Sequence, residues 1–207
     1  MVGLAIHTSS PELGLALSAA GQILRHQTWP LGRELSRHMH THLRDFIQPY
    51  PWSDFDFLAV AKGPGGFTGT RIGVVTARTL AQQLQIPLFG VSSLAAIAQQ
   101  YWLAAQDPDA TLTLAVEMAA QRGEVFGGIY QVSEAGLTVA LADQVTAQEH
   151  WQQQVADWPE PLEQIQAIGG LAASVQGVLA LALAGWERGD RPDWETVLPF
   201  YGQHPVR

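Results

Sequence analysis

Phe57-Leu-Ala-Val-Ala-Lys-Gly-Pro-Gly-Gly-Phe-Thr-Gly-Thr-Arg-Ile-Gly73 joins an apolar run to a glycine-rich turn and then to a segment that continues to Leu84 without proline. Phe57 to Ala61 is short, apolar and β-compatible, which predicts a buried strand. Thr68 to Leu84 predicts a helix, with Thr68 as its cap and Pro87 beyond its end. Pro87 to Val91 predicts a further short strand, and Ser92 caps a helix reaching roughly Ala105. This alternation of strand and helix places the chain among α/β proteins.

Working outward, Val2 to Thr8 is an apolar strand closed by Ser9-Ser10-Pro11. Leu13 to Ser18 and Gln22 to Trp29 flank Ala19-Ala20-Gly21 as a hairpin, and a helix over Arg33 to Gln48 stops before Pro49. The second half repeats this order. Strands at Thr111 to Glu117, Glu124 to Val132 and Leu137 to Leu141 precede a helix near Ala147 to Asp157, a strand Gln164 to Ile168 and a helix near Leu171 to Glu187. The halves share element order but not sequence. Each has antiparallel strands feeding an alternating βα tail, so mixed sheets covered by helices are expected. The fold class is therefore two-lobed α/β, of the actin-like, Hsp70-like or ribonuclease H-like kind. Residues 1–106 form the first lobe and residues 107–207 a shortened second lobe, with Asp107-Pro108-Asp109 as the joint. The C-terminal tail is expected to pack back on the first lobe.

The totals exclude several functions. The 207 residues suit one large domain or two small lobes, each with a core. The absence of Cys removes disulfide scaffolds, thiolate zinc sites and cysteine nucleophiles, and it fits a cytoplasmic protein. With 11 basic against 19 acidic residues and Lys62 as the single lysine, strong direct binding of a nucleic-acid backbone is not expected. Local arginine clusters are the exception to watch. Met1 to Ile6 lacks the basic start and the apolar length of a signal peptide. The longest apolar run, Gly177 to Trp186, has about half the length of a membrane span.

The loop Lys62 to Gly73 lies where amides at a helix start can hold an anion. It lacks the closing Lys-Ser/Thr of a P-loop, and Thr68 breaks the dinucleotide G-x-G-x-x-G spacing. A sharp turn using glycines at positive φ is the plainer reading. Behind it, Gly69, Gly73, Ala77 and Ala81 recur every fourth residue and form a smooth strip on one helix face. Such a strip allows close approach either within the lobe or by another subunit, and the pattern does not choose between them.

His38, His40 and His42 fall on the helix Arg33 to Gln48, where Leu35, Met39, Leu43, Phe46 and Ile47 make the apolar face. His38 and His42 are one turn apart, but no Glu between them could serve as a zinc peptidase's base. No G-x-S-x-G surrounds Ser92-Ser93. Trp151, Trp158, Trp186 and Trp194 read as packing residues rather than a stacking platform.

Gly63 to Gly73 followed by Pro87-Leu-Phe-Gly-Val-Ser-Ser-Leu94 resembles the TsaB family, also called YeaZ. Leu4-Ala-Ile-His-Thr-Ser-Ser10 is similar to that family's opening strand, Arg122-Gly-Glu-Val-Phe126 to its R/M-GEV-Y/F segment and Leu198-Pro-Phe-Tyr201 to its closing P-x-Y. The stretch from about Ala142 to Ala172 matches less well and looks trimmed. The resemblance implies an actin-like fold and a non-catalytic role in making threonylcarbamoyladenosine in tRNA. It implies binding to TsaD, the metal-carrying threonylcarbamoyltransferase, with the ATPase TsaE as third component and a homodimer when the chain is alone. Where TsaD carries a metal-binding His pair, this chain has Ser93 and Ile97. Where the wider fold group has carboxylates in each lobe, it has His7 and Ala119, with Glu117 nearby. No catalytic, cofactor or metal residues are therefore expected. The resemblance places the docking face on Leu35, Met39, His42, Leu43, Gly69, Arg71, Ile72, Gly73, Thr76 and Ala77. The alternatives are an ATP-dependent ATPase or kinase of this fold and, further off, a metallopeptidase.

Overall fold

The computed structural model describes residues 1–105, 107 and 109–202. Pro108 of the expected joint lies outside the described residues. The chain opens with β1 (Val2–His7), β2 (Leu13–Ala19) and β3 (Gln22–Trp29), followed by α1 (Leu35–Phe46), β4 (Phe57–Ala61), α2 (Phe67–Leu84), β5 (Leu88–Val91) and α3 (Ser93–Ala104). It continues with β6 (Leu112–Ala119), β7 (Glu124–Ser133), β8 (Gly136–Ala147), α4 (Gln148–Ala156), β9 (Glu163–Gln166) and α5 (Val175–Glu187). Two mixed sheets result, ordered β3-β2-β1-β4-β5 and β8-β7-β6-β9. In each, antiparallel pairs lead to parallel ones, at β1–β4 and β4–β5 in the first sheet and β6–β9 in the second.

Alternation along the central strands sorts the core. Leu4, Ile6, Leu15, Leu58, Val60 and Leu88 point to α1 and α2, whose Leu35, Met39, Leu43, Val74 and Ala77 complete that cluster. Ala5, Ala16, Phe57, Ala59 and Phe89 point the other way, onto Val175, Val178 and Ala182 of α5. Leu94 and Ala98 of α3 instead join Leu114, Val116, Phe126 and Tyr130 of the second sheet. The last helix of each half thus serves the other half's sheet. Where α3 and α5 cross, a Cβ on Gly177 would lie 2.0 Å from the Ala96 carbonyl oxygen, so only glycine fits. Trp151 and Val155 of α4 cover the far face of the second sheet.

The helix starts differ from the sequence expectation, the last one because Leu171 to Ser174 form a separate 3-10 turn before α5. α2 begins at Phe67 with Gly66 as its cap, and Thr68 lies inside the first turn. Gly32 to Glu34 form a separate 3-10 turn before α1. Ser92 does cap α3, accepting hydrogen bonds from the Leu94 and Ala95 amides at 3.1 and 3.2 Å. Among the described residues, no helix is long and apolar enough to cross a membrane.

Candidate functional site

The glycine loop leaves the end of β4 and folds onto the end of β1. Gly63 has φ of 100°, and a Cβ there would meet the Phe200 carbonyl oxygen at 2.5 Å. The Gly66 amide donates to the Ser9 carbonyl at 2.7 Å. Thr8 donates from Oγ1 to the Gly69 carbonyl at 2.8 Å. A Cβ on Gly69 would stand 2.2 Å from the Thr8 carbonyl oxygen, and one on Gly73 would stand 2.1 Å from Thr8 Oγ1. Ala77 and Ala81 are fully buried. The smooth strip of α2 therefore lies on the chain's own first lobe, its glycines against the turn after β1 and Ala77 and Ala81 in the core of the first sheet.

The expected docking residues differ in exposure. Leu35, Met39 and Leu43 of α1 and Gly73 and Ala77 of α2 are buried in the first lobe, while Gly69 is half-buried at the cleft border against the Thr8 carbonyl. His42 is half-buried, its ring 4.7 Å from that of Trp29 on β3. Ile72 and Thr76 are half-buried, with Thr76 Oγ1 donating to Met39 Sδ at 3.9 Å. Arg71 is exposed, its guanidinium 5.2 Å from the ring centre of Phe67. The outward face of α2 is instead Phe67, Arg71, Val75 and Thr79, spaced by one turn, with Phe67 41% and Val75 60% exposed. Read from sequence, Val75 falls with Ile72, Thr76 and Leu80 among residues able to pack on the sheet, and its 60% exposure overturns that reading; Phe67, two turns before it on the same face, drew no assignment.

Between the lobes lies a cleft of about 980 Å³, bordered by Ser9, Arg33, Gly65, Phe67, Met118, Ala119, Phe126, Leu171 and Tyr201. Among the described residues its lining includes no Asp or Glu, so it offers no carboxylate for Mg²⁺ and does not fit a metal-bound nucleotide. At the end of β1, His7 is fully buried and accepts the Ser9 amide on Nδ1 at 3.3 Å. Burial pushes its pKa down to about 3, which keeps the imidazole neutral. Ala119 lines the cleft and Glu117 does not. Ser93 is buried at the start of α3, and Ile97 packs against the second-sheet cluster.

The three histidines of α1 do not come together on one ligand. His38 Nε2 lies 3.6 Å from Glu34, His42 lies tilted against Trp29, and His40 is exposed. Among the described residues, no three His, Cys, Asp or Glu side chains form a cluster able to hold a metal ion.

Two devices tie the lobes together around the cleft. Ser92 donates to Asp143 Oδ2 at 2.5 Å, and Tyr130, 1% exposed, hydrogen-bonds the other carboxylate oxygen. Burial and the Asp143 carboxylate push the Tyr130 pKa well above the usual phenol range. The closing segment makes the second link. Val197 joins the first-lobe core, and the Phe200 amide donates to the Lys62 carbonyl at 2.7 Å. Phe200 packs into the second-sheet cluster, and Tyr201 lies against Phe67 with ring centres 4.7 Å apart.

Comparison with known proteins bears on this arrangement. The family model described as TsaD, tRNA N6-adenosine threonylcarbamoyltransferase, matches residues 49–178, which include the stretch from Ala142 to Ala172 set apart above. The tRNA threonylcarbamoyladenosine biosynthesis protein TsaB of Bacillus subtilis (strain 168) is 34% identical over 169 residues, covering 79% of this chain and 67% of that protein. The Escherichia coli (strain K12) TsaB is 33% identical over 163 residues, covering 75% of this chain and 68% of that protein. The chain belongs to the TsaB family. A solved structure described as an uncharacterized protein with similarity to peptidase YeaZ from Pseudomonas aeruginosa superposes on this TsaB-family chain with a TM-score of 0.80. It is 25% identical and covers 98% of this chain and 99% of that one. With two mixed sheets and this neighbour, the TsaB-family chain has the two-lobed actin-like fold.

Proposed function

We propose that this chain serves threonylcarbamoyladenosine synthesis in tRNA as a non-catalytic cytoplasmic subunit that docks on the transferase TsaD and holds it in its productive form. The relatives' names support the pathway. The observation that carries the docking role is the outward face of α2, where Phe67 and Val75 stand exposed around Arg71 on a helix whose opposite side is locked onto β1. A rigid helix with exposed apolar and arginine side chains is what a protein interface uses as anchors. The cleft's lining supports a non-catalytic role, since among the described residues it supplies no carboxylate for a metal-bound nucleotide. TsaE would join the pair as a third component, and without its partner the chain would pair with a second copy through the same face.

The test is co-purification with the same organism's TsaD, using wild type and Val75→Asp. The expected result is a stable pair that the substitution disperses while the isolated chain keeps its melting temperature. Wild type that fails to retain TsaD, or folded Val75→Asp that retains it fully, would sink the docking face. Mg-ATP hydrolysis by the pure chain, lost on substitution of Gly65, would restore the ATP-dependent enzyme instead.

A further inference from the structure

Charge is distributed unevenly along this acidic chain. Residues 1–105 hold seven Lys and Arg against five Asp and Glu, whereas residues 106–207 hold four against fourteen. The layer formed by α1 and α2 concentrates the basic groups. Arg33 precedes α1, Arg37 and Arg44 lie on it, and Arg71 and Arg78 lie on α2, which has no Asp or Glu. Glu34 sits 3.6 Å from both Arg37 and His38, and Asp45 pairs with Arg44 at 2.9 Å. These pairs are exposed and hold their partners weakly. Among the described residues, Arg71 has no carboxylate at ion-pair distance. It stands over Phe67, one turn from Val75.

We propose that the α1–α2 layer docks an acidic protein surface and that its charge selects this partner over a second copy of the chain. The inference rests on the docking reading above and names the chemistry of the surface that fills it. An isologous contact would lay this basic layer on itself, like charge against like, which disfavours self-pairing. An acidic partner surface receives the same arginines as complements and covers Phe67 and Val75 at the same time. Nucleic acid fits less well: phosphates gain nothing from the exposed apolar side chains, and the acidic second half repels them.

Salt separates the two contacts because screening acts on them with opposite sign. The full-length chain is titrated with the same organism's TsaD at about 50 mM and about 500 mM NaCl, and the chain alone is sedimented in both buffers. The partner affinity is expected to fall about tenfold or more at the higher salt, while self-association stays level or strengthens. Arg71→Glu is expected to weaken TsaD binding about tenfold with an unchanged melting temperature, and Arg37→Glu to act in the same direction. An affinity that ignores salt and Arg71→Glu, yet is abolished by Val75→Asp, leaves docking standing and overturns the charge selection. Self-pairing tighter than TsaD binding at low salt also overturns it. Salt-sensitive binding of a tRNA probe with salt-insensitive binding of TsaD overturns it in favour of nucleic acid. No TsaD binding at either salt removes the docking reading, and this inference with it.

Discussion

The two sides of α2 carry different sequence patterns and have different fates. On one side Gly69 and Gly73 press against the turn after β1, with no room for a Cβ at either, and Ala77 and Ala81 are buried in the core of the first sheet. On the other, Phe67, Arg71, Val75 and Thr79 stand in solvent. The side that looks made for another helix is used by the chain itself, and the side available to a partner is the less regular one. A run of small residues reports how close a neighbour comes, not which neighbour it is.

Gly73→Leu should break the inner side most severely. The added side chain begins 2.1 Å from Thr8 Oγ1, so about 3 kcal/mol of stability should be lost, seen as a lower urea midpoint. Val75→Ala on the outer side should stay within about 0.5 kcal/mol of wild type. Equal losses at the two positions would erase the distinction.

His7, at the end of β1, gives the next largest effect. Its folded pKa lies near 3, below the ordinary value of 6.5, so below pH 6.5 the unfolded chain binds a proton that the folded chain refuses. Stability is therefore complete above that pH and declines as pH falls toward 3, by about 2 kcal/mol at pH 5. His7→Asn should flatten this decline in denaturant titrations at pH 7 and pH 5. An unchanged slope would mean that His7 is not the group responsible.

On the outer side, Val75→Asp should weaken TsaD binding at least about tenfold while leaving the urea midpoint in place. Tyr201→Ala should be milder. It removes the ring packed on Phe67 and should cost about 1 kcal/mol, with faster amide exchange at the start of α2 than at its middle. Uniform exchange along α2 would show that the closing segment does not brace it.

Local signals account for much of what was legible. Phe57–Ala61 is the strand that its apolar run announces, and the Ser92 cap is where its hydroxyl predicts. Thr68 misled because Gly66, already in extended backbone, can end the loop and start the helix without a side-chain cap. β8 runs from Gly136 to Ala147, past the expected Leu141, because pairing with β7 supports residues whose own pattern is weak. The interlobe link of Ser92, Tyr130 and Asp143 had no sequence signal, since its members are separated by 38 and 13 positions. Leu35, Met39 and Leu43 of the expected docking set belong to the core because the sheet beneath α1 takes them, a use that helical spacing alone does not reveal.

Composition, hydrophobic period and turn chemistry thus determined the α/β class and the repeated element order, while the resemblance to the TsaB family implied that His7, Ser93, Ile97 and Ala119 stand where related proteins carry metal-binding side chains. Those properties are local: they depend on a residue's own chemistry and on neighbours within a few positions. Only the tertiary structure decided which side of α2 is buried, that α3 and α5 cross to serve each other's sheets, and that the arginines of α1 and α2 share one outward layer. Burial and charge grouping are set by contacts between distant segments, and a helix pattern carries no record of the surface that will meet it.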